Sequence, residues 1–282
     1  MNRMTDNEEV VKRFSEFLGK RESSTICEIH NIKFWEISVP TPTGRRTQEF
    51  CPECQKEEKE KKSIETLKSD LISSDLARSF KVFSNNSIIS DELKNANLET
   101  YDITDPFDEK AIDFTKRMAR HYFKGGEGNT VFIGVPGVGK SHLTISMARS
   151  LNYTFKKYNE PKSIVFMPAN RIFSKIKSSF NNKSSVFTED YAIDFLSKVD
   201  YLFLDDLGKE SSMSNQIKPA SDWVQSVLFS ILDQRKNTII NTNFSRDQLL
   251  KIYDAALVDR IFKGTLPNKQ VLIWPEHSVS KR

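Results

Sequence analysis

The amino-acid sequence predicts an α/β protein in which a parallel sheet is flanked by helices. Three features of the chain support this prediction. Short apolar runs alternate with helical patterns over the last two-thirds of the chain, a glycine-rich loop follows the first of these runs, and three cysteines near the start mark a separate small segment. Strands that alternate with helices pair in parallel, because each crossover helix packs on a face of the sheet.

The composition is typical of more than one domain. The 282 residues carry a formal net charge of +4, and 38% of them are hydrophobic, which is low for one compact globule. Residues 1–20 are charged and lack the apolar core of a secretory signal, and no apolar run reaches the length of a membrane span. We therefore expect a cytoplasmic protein with no membrane partner, in which the cysteines are thiols or metal ligands.

The first part of the chain is expected to contain only short elements. A helix is predicted over residues 10–18, a strand-like run over 32–39, and a turn over 40–44.

Two changes of composition divide the chain. Residues 55–62 are a dense run of lysine and glutamate, and a second change falls at 84–90. The first run continues into apolar residues at helical spacing, which favours a solvated helical linker; a helix that docks on a partner is the open alternative. We place a metal-binding domain at 1–62, a helical linker at 63–96 and the α/β domain at 97–282.

Five strands are predicted in the α/β domain, over residues 130–133, 164–167, 201–204, 238–240 and 271–273. The helical patterns between them cover 141–151, the segment around 172–176 and 221–235, and residues 181–185 form a polar loop. Ligands bind beyond the carboxyl ends of the strands in open sheets of this kind, so functional residues are expected there.

The glycine-rich loop matches the pattern G-x-x-x-x-G-K-[ST] in full, as Gly134-Val135-Pro136-Gly137-Val138-Gly139-Lys140-Ser141. It lies between a predicted strand and a predicted helix, which is the context that the pattern requires. Backbone N–H groups and the helix N-terminus can then bind phosphate oxygens. Lys140 is predicted to reach the β- and γ-phosphates of ATP, Ser141 to ligate Mg²⁺, and His142 to end the nucleotide-binding segment.

Polar residues near the ends of later strands complete the predicted site. Asp205 and Asp206 follow four apolar residues; Asp205 is expected to hold Mg²⁺ through water, and Asp206 to orient or deprotonate the attacking water. Asn243 could hold that water or cap a loop. Arg260, on a predicted helix, could form a structural ion pair or act as an arginine finger toward a neighbouring subunit. The residues alone leave both questions open.

Cysteine and histidine residues form two pairs with metal-ligand spacing. Cys27 and His30 make a C-x-x-H pair, Cys51 and Cys54 make a C-x-x-C pair, and 20 residues separate the two pairs. Three thiolates and one imidazole are a tetrahedral ligand set for structural Zn²⁺, with no open position for catalysis. The alternative is a set of free buried thiols with a histidine nearby by chance.

With these residues in place, the chain resembles the DnaC/DnaI-type replicative helicase loaders of the AAA+ superfamily, and it is also similar to IstB-like transposition ATPases. The similar segments are residues 97–101, 134–143, 204–210, 221–224, 231–235, 242–245 and 259–260. The resemblance is strong over 97–282. The Cys/His segment is less specifically similar to the zinc-bearing N-terminal domain of DnaI-like loaders.

The resemblance implies roles for two residues. Asn243 matches the sensor-1 asparagine, and Arg260 matches the arginine finger. Only nine residues follow Ile273, so the resemblance implies an AAA+ core without a helical lid, as in the short loaders. We therefore expect no sensor-2 arginine of a lid, and Arg282 is a candidate to replace it.

The function implied by the resemblance is ATP-dependent loading of a DnaB-type helicase hexamer onto single-stranded DNA. ATP binding and hydrolysis would switch assembly of the loader, through its AAA+ domain, and release of the helicase. Two alternatives stay open: an IstB-like helper ATPase of DNA transposition, and a nucleotide-binding adaptor without turnover.

Overall fold

The computed structural model describes residues 21–281 apart from residues 43, 183 and 212–216, and the side chains of residue 40 and residues 63–73 are also outside the described part. The predicted helix over 10–18 and the role of Arg282 therefore lie outside the described residues. The chain divides into one unit of residues 1–73 and another of residues 74–282. The three-part division at 62 and 96 stays a prediction.

The N-terminal unit contains a three-stranded antiparallel sheet. Its strands β1 (Arg21–Ile26), β2 (Lys33–Thr41) and β3 (Gly44–Phe50) lie in the order β1-β2-β3. β2 and β3 form a hairpin whose last pair joins Thr41 and Gly44, where the glycine has a φ of 141° that disfavours other residues. The predicted turn is thus confirmed. Helix α1 (Pro52–Asn86) begins directly after β3.

The second unit is built on a parallel sheet of five strands. They are β4 (Thr130–Ile133), β5 (Ile164–Pro168), β6 (Tyr201–Leu207), β7 (Thr238–Thr242) and β8 (Val271–Ile273), in the order β5-β6-β7-β4-β8. All four neighbouring pairs are parallel. The predicted α/β class with five strands is confirmed. The structure corrects one boundary, because β6 runs through the two aspartates instead of ending before them.

Seven helices surround this sheet among the described residues: α2 (Pro106–Phe123), α3 (Lys140–Lys157), α4 (Ala169–Ser179), α5 (Glu189–Lys198), α6 (Asp222–Asp233), α7 (Arg246–Ile252) and α8 (Ala255–Ile261). Alternate residues of each strand face opposite sides, so the sheet has an apolar layer on each face. In β4, Val131 and Ile133 belong to one layer and Phe132 to the other. Within the described part of the chain after β8, residues 274–281 contain no helix.

The segment that precedes the α/β core packs against the edge of the sheet. Ile88 N–H donates to the Phe166 carbonyl at 2.8 Å, and Phe166 N–H donates to Ser87 Oγ at 3.0 Å. These bonds satisfy part of the exposed edge of β5, which would otherwise be open to pairing with other chains. Among the helices of the described residues, none is both long and apolar enough to cross a membrane.

Candidate functional site

The phosphate-binding loop connects β4 to α3. Gly137 and Gly139 both have a φ of 89°, a conformation that favours glycine. A Cβ on Gly139 would also lie 2.6 Å from the Tyr101 ring, so no side chain fits there. Gly139 caps α3, whose first backbone N–H groups therefore face the loop.

The Lys140 side chain is hydrogen-bonded to the backbone of this loop. The side chain is buried, and Nζ donates to the carbonyls of Gly134 at 2.8 Å and Val135 at 3.0 Å. It also donates to Asn243 Oδ1 at 2.7 Å. Phosphate oxygens can replace carbonyl oxygens as acceptors for the ammonium group, so the lysine is placed for nucleotide.

Asp205 is bound to the first turn of α3. Its Oδ1 accepts from Ser141 Oγ at 2.7 Å and from Asn241 Nδ2 at 2.6 Å. Burial raises the pKa of Asp205, although these hydrogen bonds and nearby Lys140 oppose that shift. Serine and aspartate oxygens at this separation are the hard donors that Mg²⁺ prefers, so the residues present fit the cation.

An irregularity in β6 brings the second aspartate to the same side as the first. Adjacent residues of a regular strand face opposite sides of the sheet. The register of β6 against β7 shifts between Leu204 and Leu207, and Asp206 has a φ of 54°. A bulge of this kind redirects side chains, and both Asp205 and Asp206 line the same cavity. Asp206 Oδ2 also accepts a hydrogen bond from the Lys209 ammonium at 3.1 Å, which makes the two residues an ion pair.

Most of the predicted residues line one cavity of about 1180 Å³, among them Lys140, Ser141, Asp205, Asp206 and Asn243. Its other walls come from residues 88–93 of the segment before the core and from the start of α4, including Arg171. The cavity is large enough for a nucleotide and its cation.

Arg260 does not line this cavity. It is on α8, outside the cavity lining, and its Nε donates to Asp233 Oδ1 at 2.6 Å while the guanidinium lies over the Phe229 ring. Both partners of this ion pair are about 40% exposed, so it contributes less than about 1 kcal/mol to stability. Within one chain the structure therefore gives Arg260 an ion-pair partner, and a role toward a neighbour stays a proposal.

His142 lines the cavity, but its imidazole faces the segment before the core. Nε2 donates to the Asn97 carbonyl at 2.8 Å, and the ring packs edge-on against Tyr101. Lys281, which sequence reasoning missed, also lines the cavity. Its Nζ pairs with buried Asp108 at 2.8 Å, and its ammonium group lies 3.8 Å from the Tyr101 ring centre. Nothing in the local sequence around 281 signals this contact.

The four predicted metal ligands converge in the N-terminal unit. One donor atom each from Cys27, His30, Cys51 and Cys54 lies within 4.8 Å of every other. Tetrahedral Zn²⁺ with bonds of about 2.3 Å places two sulfurs about 3.8 Å apart. The Sγ atoms of Cys27 and Cys54 are 3.7 Å apart, so this arrangement fits zinc.

A second layer of contacts supports the same ligand set. Glu57 Oε1 lies 3.2 Å from His30 Nε2, which leaves Nδ1 directed at the thiols. Such a carboxylate fixes the tautomer and orientation of a metal-binding histidine. Backbone hydrogen bonding at His30 lowers the pKa of Cys27 to about 6, which favours its thiolate, whereas burial raises the pKa of Cys54.

The fold and this loop geometry define a P-loop α/β protein. The model of the family described as IstB-like ATP binding protein matches residues 49–270, and the chain belongs to that family. It is 27% identical over 174 residues to the replicative helicase loader DnaC of Buchnera aphidicola subsp. Baizongia pistaciae, covering 60% of this chain and 64% of that one. It is 26% identical over 153 residues to DnaC of Escherichia coli K12, covering 52% and 56%. The chain thus spans less than two-thirds of either relative.

Solved structures are similar over a comparable share of this chain. A crystal structure of the DnaC helicase loader has a TM-score of 0.47 at 23% identity and covers 61% of this chain and 95% of that one. A crystal structure of DnaI has a TM-score of 0.43 at 23% identity and covers 68% and 95%.

Proposed function

We propose that this protein is an ATPase that loads a replicative, DnaB-type helicase hexamer onto single-stranded DNA. The observation that carries the proposal is the convergence of Lys140, Ser141, Asp205 and Asp206 on one cavity, in a chain whose curated relatives are named as helicase loaders. The family description alone also fits a helper ATPase of transposition. The names of the relatives favour the loader.

The residues of the cavity have distinct roles in this proposal. The loop and Lys140 bind the β- and γ-phosphates, and Ser141 with Asp205 hold Mg²⁺, which neutralises phosphate charge when bound. Asp206 orients the attacking water and accepts its proton. Asn243, bonded to Lys140 at 2.7 Å, places its amide where it can hold the same water against the γ-phosphate.

Contacts of α3 support a nucleotide switch. The helix begins at Lys140, and two side chains further along it bind the segment before the core. His142 and Arg149 donate to the carbonyls of Leu93, Lys94, Ala96 and Asn97. A shift of the loop and α3 on nucleotide binding would move that segment, which leads back to α1. ATP can thus bias loader assembly and helicase release.

Aromatic side chains on the residues that follow α4 support binding of single-stranded DNA. We define this aromatic surface as Phe180, Phe187 and Tyr191; Phe180 is 61% exposed and Tyr191 38%, whereas Phe187 is half-buried and packs against the core. The Lys175 ammonium lies 5.4 Å from the Phe187 ring centre. Aromatic faces with adjacent cations bind bases by stacking and the DNA backbone by charge.

We expect Phe180→Ala to weaken binding of an oligothymidine about tenfold, because one stacked base contributes about 1–3 kcal/mol. Fluorescence anisotropy at two salt concentrations measures the affinity. The control is Tyr153→Ala, since this tyrosine is 68% exposed but lies on α3. Equal losses in both variants would refute the aromatic surface as the DNA site.

Self-assembly should create composite ATPase sites through Arg260. We expect Arg260→Ala to bind ATP normally and to hydrolyse it at least about tenfold more slowly, because an arginine finger acts on the transition state. Mixing this variant with Lys140→Ala should restore part of the activity, since each parent lacks a different half of the site. Arg246→Ala, at another exposed ion pair, is the matched control and should hydrolyse ATP normally. If no mixing ratio restores turnover, Arg260 does not act between subunits.

The N-terminal unit is proposed to hold the helicase. A small unit stabilised by zinc and joined to the ATPase by a long charged helix suits a protein whose two ends have different partners. Co-purification of the full chain with the cognate helicase tests whether the helicase is the partner. Capture of a transposase and no helicase would instead favour the transposition helper, and absence of any ATP turnover would favour the adaptor.

A further inference from the structure

Two amides at the end of strand β7 lie on the same side of the sheet. Asn241 and Asn243 are two residues apart, and each binds one charged residue of the proposed nucleotide site. Asn243 Oδ1 accepts from Lys140, whereas Asn241 Nδ2 donates to Asp205 Oδ1 at 2.6 Å. Of these two amides, only that of Asn243 has a role in the function proposed above.

The orientation of the Asn241 amide is fixed by its neighbours. Nδ2 also donates to Thr144 Oγ1 at 2.7 Å, while the Thr144 hydroxyl donates its own proton to the Lys140 carbonyl at 3.1 Å. The hydroxyl must therefore accept from Asn241. The opposite orientation would point the amide oxygen at the Asp205 carboxylate, and two acceptors repel each other.

The burial of Asn241 indicates that its NH₂ group is the part in use. The residue is 1% exposed, and its Oδ1 has no hydrogen-bond partner among the described residues. An unpaired buried carbonyl destabilises the folded state, because it gives up its hydrogen bonds to water. A strand position in this layer would be more stable with an apolar residue unless the bonds to Asp205 and Thr144 were needed.

We propose that Asn241 is a positioning residue that fixes the Asp205 carboxylate as a ligand for Mg²⁺; the proposal rests on the proposed nucleotide site. Ser141 and Asn241 both donate to Oδ1 of Asp205, from α3 on one side and β7 on the other. Two donors on one oxygen prevent rotation of the carboxylate. A cation ligand held in this way loses less conformational entropy on binding, as expected for an outer-shell partner of a metal site.

The test measures Mg²⁺ dependence, which a purely structural role would not change. A fluorescent ATP analogue is titrated into the full-length protein at increasing Mg²⁺. For Asn241→Ala we expect the Mg²⁺ midpoint to rise about tenfold, the lower end of the effect of removing an outer-shell partner. Binding without Mg²⁺ should stay within about twofold of the unmodified protein. Asn152→Ala, the same change in a half-buried amide of α3 outside the cavity lining, should leave the midpoint unchanged.

An unchanged midpoint in folded Asn241→Ala protein overturns the proposal. If that variant does not fold, Asn241→Thr replaces it, because a β-branched residue suits a strand and its shorter hydroxyl cannot bridge both partners. A midpoint equal to that of the unmodified protein in Asn241→Thr then overturns it equally. If the unmodified protein binds no ATP analogue at any Mg²⁺ concentration, the proposed nucleotide site itself fails, which is a different result.

Discussion

Replacing Lys140 with alanine is expected to weaken ATP binding about 10- to 100-fold while the fold survives. The ammonium is the side-chain charge that the loop holds at the position for the β- and γ-phosphates, and charged hydrogen bonds contribute about 1.5–3 kcal/mol each. Asp206→Asn should have a different effect. This variant should bind ATP normally and hydrolyse it about 10²- to 10⁴-fold more slowly, because the asparagine amide cannot accept a proton from water.

Equilibrium binding of a fluorescent analogue and steady-state phosphate release measure these two effects separately. The matched control is Lys236→Ala, an exposed lysine paired with Glu127 outside the cavity lining, which should change neither quantity. Thermal unfolding confirms that each variant is folded. If Lys140→Ala and Asp206→Asn both turn over ATP at the normal rate, the assignment of the site is wrong.

Loss of metal is the second change with a large expected effect. The protein should contain one Zn²⁺ per chain by elemental analysis, and Cys51→Ser should contain none. Zinc contributes on the order of 10 kcal/mol to folding of small modules, so the N-terminal unit should lose its protease resistance. ATP binding should be spared, since the nucleotide cavity is lined by residues of the other unit.

A variant that weakens zinc binding without removing a ligand distinguishes a zinc site from a cluster of free thiols. Glu57 contacts His30 without being a ligand in the proposed set, so Glu57→Gln should retain zinc with an affinity about 10- to 100-fold lower. Protein purified without chelator that contains no metal would refute the zinc site. Loss of ATP binding in Cys51→Ser would contradict the independence of the two units.

The parts of the fold that depend on local sequence could be predicted. The five strands are short apolar runs, and the phosphate loop is a pattern of adjacent residues, so neither needs knowledge of distant contacts. Helix α2 was missed although its signals are local: Asp105 caps it, Pro106 begins it, and Asp108 completes a capping box. The two Cys/His pairs were predicted from spacing alone, and the β2–β3 hairpin brings them together.

The remaining features depend on contacts between distant parts of the chain. The bulge that directs Asp206 into the cavity arises from pairing of β6 with β7, and no residue pattern in 201–207 marks it. Asn241 could have been found, because it lies two residues before Asn243 and therefore faces the same side. The contacts of Arg149 and Lys281 could not have been predicted, since their partners are more than 50 residues away in sequence.

Loading of a helicase onto DNA by this protein can be measured with purified components. The purified protein, a replicative helicase hexamer of the same host and ATP are incubated with circular single-stranded DNA, and helicase bound to the circles is counted after gel filtration. We predict that bound helicase increases severalfold when the protein and ATP are both present, and that Lys140→Ala abolishes the increase. Equal amounts of bound helicase with and without the protein would contradict the proposed function.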